Sequence, residues 1–138
     1  MRLPEDQVRE RFATARVARL ATAAADGVPH LVPVTFAVDG DRIVFAVDHK
    51  PKSSTDLRRL RNIRANPAVA FLVDHYEDDW SLLWWARADG VAEVRTASAD
   101  RAAPVELLRA KYPQYRTHPP EGDVVTTHVH TWRGWTST

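Results

Sequence analysis

The chain has 138 residues, which suits one domain of roughly 100–200 residues with room for its own core. It has no cysteine and only isolated glycines, at 27, 40, 90, 122 and 134. That excludes a disulfide scaffold, a thiol nucleophile, a G-x-G-x-x-G turn and a Walker loop. Nineteen Lys+Arg against eighteen Asp+Glu leave a net charge of +1, so no global field favours nucleic acid or a membrane surface.

The first residues, MRLPEDQVRERF, are charged and amphipathic, so no signal peptide is expected and the location expected is cytoplasmic. Pro4, two acids, Val8 and Phe12 predict a short helix over 4–14. The period changes at Arg16, and a strand is predicted to about Thr22. A turn at 25–27 leads to the strand 28–38, VPHLVPVTFAV, whose two prolines suit an edge. Asp-Gly-Asp at 39–41 predicts a hairpin into the strand 42–48.

The loop 49–52 precedes the best helix signal, 53–66, with hydroxyl residues at its start and Asn66-Pro67 at its end. Residues 68–74 read as a buried strand and 75–80 as a polar aromatic loop. Residues 81–96 read as one strand bulged at Asp89-Gly90. A helix over 98–112, an irregular loop over 113–122 and a closing strand over 123–135 complete the chain. Six strands in this order predict one mainly β domain (α+β), an antiparallel Greek-key barrel with helices plugging its ends.

Chemistry concentrates after the third strand. Six of the nineteen cations, Lys50, Lys52, Arg58, Arg59, Arg61 and Arg64, fall within 50–64, opposed only by Asp56. Lysines at a helix N-terminus oppose its dipole unless an anion is present, and Ser53, Ser54 and Thr55 add donors. A solvated helix face is the plainer reading of the same residues. Sixteen of the basic residues are Arg and three are Lys, so each lysine is mildly informative.

Prolines 29 and 33 withhold two backbone donors from their strand, freeing neighbouring groups for a ligand or simply blunting an edge. Trp84 and Trp85 are consecutive on a strand and point to opposite faces, so one can be core while the other meets a partner or a planar ligand. His128 and His130 share a strand face but lack a third ligand at metal spacing. No nucleophile elbow or catalytic histidine spacing is present. If the protein is an enzyme, a cofactor should carry its chemistry.

Three runs, taken in order, resemble a known family: ARLATAAADGVPHLVPVTF, DHKPKSSTDLRRLRNIRANPAVAFLVD and HYEDDWSLLWWARADGVAEV. They are similar to pyridoxamine 5′-phosphate oxidase-like split-barrel proteins, and more narrowly to their actinobacterial F420-dependent branch. The resemblance covers about 5–135. It implies a six-stranded split barrel, a homodimer and cofactor sites along the subunit interface. It implies a phosphate held by Lys50, Lys52, Ser53, Arg58 and Arg59, and a ring system lined by Val32, Pro33, Val34 and Thr35. It further implies that Trp80 and Ser81 approach the cofactor from the other subunit. The tail HTWRGWTST has one arginine, Arg133, which departs from the oxidase proper and argues against pyridoxal phosphate biosynthesis.

The function implied is an F420-dependent oxidoreductase that passes hydride to a small electron-poor substrate. An FMN-dependent enzyme of the same fold is the alternative. A non-catalytic cofactor- or nucleic-acid-binding module is the reading from another class, and the acids at 74 and 77–79 oppose its nucleic-acid form. No metal, nucleic acid or membrane partner is expected.

Overall fold

A computed structural model describes residues 1–47 and 54–138. Its elements in chain order are α1 (Glu5–Thr14), β1 (Ala18–Ala23), β2 (Pro29–Val34), β3 (Ala37–Asp39), β4 (Arg42–Ala46), α2 (Ser54–Ala65), β5 (Ala68–His75), β6 (Trp84–Arg95), α3 (Ser98–Lys111), α4 (Pro113–Thr117) and β7 (Val124–Thr136). No described helix is long and apolar enough to cross a membrane.

One antiparallel sheet runs in the order β2-β1-β5-β6-β7-β4-β3. Its two edge strands, β2 and β3, are separated in the chain only by Thr35 and Phe36. The sheet therefore curls until its edges meet, which is the expected split barrel. The expected single strand 28–38 is divided, so seven strands stand where six were predicted. The cause is a change of partner: β2 pairs with β1, whereas β3 pairs with β4. At the bend, Phe36 leaves the ladder. Its N–H donates to the Tyr112 phenol at 3.0 Å, and the phenol faces the Phe36 carbonyl at 3.0 Å.

Two other boundaries moved. Residues 80–82 form a single 3₁₀ turn capped by Asp79, so β6 begins at Trp84 rather than 81. Part of the expected loop 113–122 is α4, with Pro113 in its first turn, where a missing N–H costs no helical bond.

The barrel interior holds Leu20, Ile43, Phe45 and Phe71, all 1% exposed or less. α1 closes one end, with Val8 and Phe12 fully buried. Phe12 meets Phe36 and Trp132 edge-on at 6.0 and 5.5 Å between ring centroids. α2 closes another part through Leu60 and Ile63. A smaller core of Ala37, Val44, Leu108 and Tyr112 fixes α3 against β3 and β4.

The predicted bulge lies between Asp89 and Gly90, where the β6–β7 register shifts. A Cβ on Gly90 would run into the His128 carbonyl oxygen and stand 2.8 Å from Thr127 Cγ2. Gly90→Ala is therefore expected to lose about 1–3 kcal/mol in urea unfolding, the usual scale of overpacking. An unchanged midpoint would mean that the two strands can part there freely.

Candidate functional site

The predicted site residues separate into four places. Lys50, Lys52 and Ser53 lie outside the described residues. Arg58 and Arg59 lie on α2, which packs against β6 and β1. Asn62 of α2 donates to Thr22 Oγ1 of β1 at 3.2 Å, a buried contact that sets the helix over this end of the barrel. Arg58 is exposed, whereas Arg59 is buried with its guanidinium 5.7 Å from the Phe45 ring centroid. Both charges act on His30 of β2. Burial, then Arg58, then Arg59, lower the His30 imidazole below its ordinary value, so the ring stays neutral at pH 7. Its Nδ1 is buried and has no hydrogen-bond partner among the described residues. The structure thus brings the basic helix to the proline-bearing strand.

Strand parity divides β2. His30, Val32 and Val34 turn inward; Val34 is part of the core and Val32 packs against it. Pro29, Leu31 and Pro33 turn outward and are exposed. Of the expected ring-lining residues, Pro33 presents its side chain on the open face. Val34 has only its backbone to offer.

The open face is continuous across the sheet, because directly opposed residues share a face. One row reads Pro33, Arg19, Leu72, Arg87 and Arg133; the next reads Leu31, Ala21, Ala70, Asp89 and Thr131. Trp85 lies on this face opposite Trp135, with the Arg87 guanidinium 5.8 Å from its ring. Trp84 packs instead against the core, under Arg11 at 4.4 Å. The two tryptophans divide between faces as their alternation predicted.

Trp80 is 76% exposed. Ser81 is held by Asp79, whose Oδ1 accepts from the Ser81 hydroxyl at 2.7 Å and from its backbone N–H at 3.1 Å. Those two bonds hold the Asp79 carboxyl below the usual range. Val28, Leu31, Tyr76 and Leu82 are also exposed, so large apolar side chains recur on β2 and around the 3₁₀ turn.

A cluster that the sequence reading missed surrounds Thr35 at the β2–β3 bend. Thr35 Oγ1 and the Tyr115 hydroxyl are 2.9 Å apart. The Tyr112 phenol accepts from Phe36 N–H and faces the carbonyl of Arg16 at 2.8 Å. Burial pushes that phenol upward, so it stays a neutral donor. Lys111 lies beside it, with Nζ 4.0 Å from the Phe36 ring centroid, buried and without a hydrogen-bond partner. The available clue was Lys111 itself, the third lysine in an arginine-rich chain.

No three His, Asp or Glu side chains among the described residues come together as a metal site. His128 and His130 are both exposed on β7.

The model of the pyridoxamine 5′-phosphate oxidase family matches residues 4–136. The chain belongs to that family. A curated relative, a 5a,11a-dehydrotetracycline/5a,11a-dehydrooxytetracycline reductase of Streptomyces rimosus, is 41% identical over 56 residues. That alignment spans 41% of this chain and 38% of the reductase. Two solved structures share the family fold at TM-score 0.76. One is a conserved hypothetical protein of Mycobacterium tuberculosis, 22% identical, covering 98% of this chain and 86% of its own. The other is an FAD-binding protein of Mesorhizobium loti, 18% identical, covering 97% and 95%.

Proposed function

We propose that the protein is an F420-dependent reductase that works as a homodimer and acts on a small electron-poor substrate. What carries this reading is membership of the family together with a basic helix whose Arg58 and Arg59 charges act on His30 of the edge strand. The group fits the residues present. Arg58 is exposed and has no carboxylate partner among the described residues, and His30 Nδ1 is a buried polar atom awaiting one. The partial likeness to a reductase of Streptomyces rimosus supports reduction over oxidation.

Lys50, Lys52, Ser53, Arg58 and Arg59 would hold the phosphate by charge-assisted hydrogen bonds. Pro33 and the backbone of Val32, Val34 and Thr35 would line the ring. When bound, the reduced ring supplies a hydride for a C=C or C=N bond. The chain's own part is position and exclusion of water. A second copy would cover the open face around Leu31 and bring Trp80 and Ser81 to the site, because exposed large apolar side chains such as Leu31 and Trp80 suit an interface.

FMN is the second reading, favoured by the Mesorhizobium protein named for FAD binding. Titration with F420 and with FMN, followed by fluorescence, separates the two. Tight binding of F420 with weak or no FMN binding is expected; the reverse would replace the first reading by the second. Lys50→Ala with Lys52→Ala is expected to weaken cofactor binding by about 1–3 kcal/mol while the thermal midpoint stays put. Equal affinity would make these lysines a solvated edge.

A further inference from the structure

A cleft of about 380 Å³ opens between the end of α1 and strands β1, β5 and β6. Arg11, Arg16 and Arg19 line it, with Asp74 the only acidic side chain among its described lining residues. None of the three arginines forms an ion pair with a carboxylate among the described residues. The Arg11 guanidinium stands 4.4 Å from the ring centroid of Trp84, which is half-buried and also lines the cleft. Arg19 is exposed on the open face and directly opposes Pro33 of β2.

Arg16 links this cleft to the cluster at the bend. Its guanidinium donates to the Lys111 carbonyl at 3.1 Å and stands 4.9 Å from the Tyr112 ring centroid. Lys111 is the fourth cation of this corner, and its buried Nζ has no hydrogen-bond partner. Four positive groups gathered near the one carboxylate of Asp74 repel one another and remain hydrated or stacked on rings at a cost. That cost is removed by a bound anion. A planar guanidinium fork matches a carboxylate. The volume falls in the range of small-molecule sites.

We propose that this cleft binds the carboxylate of a small substrate, held by Arg11 and Arg19 beside the β2 face. The inference deepens the reading above, since it names a class of substrate for that site. Probe binding needs no cofactor, so the two can fail separately.

The test uses the full chain without cofactor and three probes: benzoate, its neutral analogue benzamide, and inorganic phosphate. Binding is followed by calorimetry and by the arginine Nε–H resonances. Benzoate is expected to saturate and to bind at least tenfold more tightly than benzamide or phosphate. Arg11→Gln with Arg19→Gln should lose at least tenfold in benzoate affinity and keep the parent's affinity for F420 and FMN. Should the double variant fail to fold, Arg19→Gln alone, on an exposed strand position, is expected to lose severalfold.

Absent benzoate binding, equal binding of benzamide, or tighter binding of phosphate would overturn the assignment. So would unchanged benzoate affinity in the variants. Loss of F420 or FMN affinity in them would instead give the cleft to the cofactor and overturn it as a substrate site. If neither cofactor binds the parent but benzoate behaves as expected, the carboxylate site stands and the cofactor reading falls.

Discussion

Phe12→Ala is expected to lower the unfolding free energy by about 3–5 kcal/mol, the usual scale for emptying a buried phenylalanine site. Phe12 is fully buried and fills the barrel end that α1 closes. Its ring is edge-on to Phe36 and to Trp132, and such aromatic pairs contribute beyond their buried area. Three rings are therefore loosened by one deletion. Phe36 forms the β2–β3 bend and lies beneath the Lys111 ammonium. Trp132 carries the Arg9 guanidinium at 4.9 Å, which in turn reaches Asp41 at 2.5 Å in the β3–β4 hairpin. The cavity cannot collapse easily, because its walls are strands fixed by their ladders. Urea unfolding of the parent and of Phe12→Leu gives the comparison, with Leu expected to recover most of the loss. A deficit below about 1 kcal/mol would place Phe12→Ala among surface substitutions and show α1 to be loosely attached.

Much of this architecture is written in local signals. Gly27 and Gly40 adopt positive φ at the two turns that their Asp-Gly pairs predict. The bulge at Asp89-Gly90 and the helix near 54–65 are local as well, one signalled in the sequence by a glycine and the other by a hydroxyl run and Asn66-Pro67. The division of the strand 28–38 is not local. The two halves take different partner strands, and at the bend the Tyr112 phenol, 76 residues away, accepts from Phe36 N–H. α4 was hidden by prolines at 113, 119 and 120, although only Pro113 lies in the helix. The candidate site divides in the same way. The basic helix and the proline strand stand out as runs of sequence. Which half of β2 faces outward depends on its register with β1, and alternation alone could not choose Pro33 over Val34. The corner of Arg16, Thr35, Lys111 and Tyr115 joins three distant segments, so no spacing announces it.

Lys111→Met is expected to stabilise the protein at neutral pH, with the gain fading in alkali. Burial, and secondarily the charge of Arg16, push the Lys111 ammonium down to about 8 from an ordinary 10.5. A lowered lysine value means that the fold binds its proton less tightly than the unfolded chain does. The resulting penalty is fully present below pH 8, declines between 8 and 10.5, and is absent above 10.5. Unscreened, the shift would correspond to about 3 kcal/mol. Lys111 is only half-buried and stacks on the Phe36 ring, so screening and cation–π attraction reduce the expected gain to about 1–2 kcal/mol. Met keeps the length of the stem and its contact with the rings, so packing changes little. Unfolding midpoints of parent and variant from pH 6 to 11 measure the difference directly. A constant offset across that range would trace the effect to packing, and a difference that grows with pH would reverse the sign of the charge penalty. A carboxylate bound beside Arg16 should shrink the gain, because it would favour the ammonium that the substitution removes.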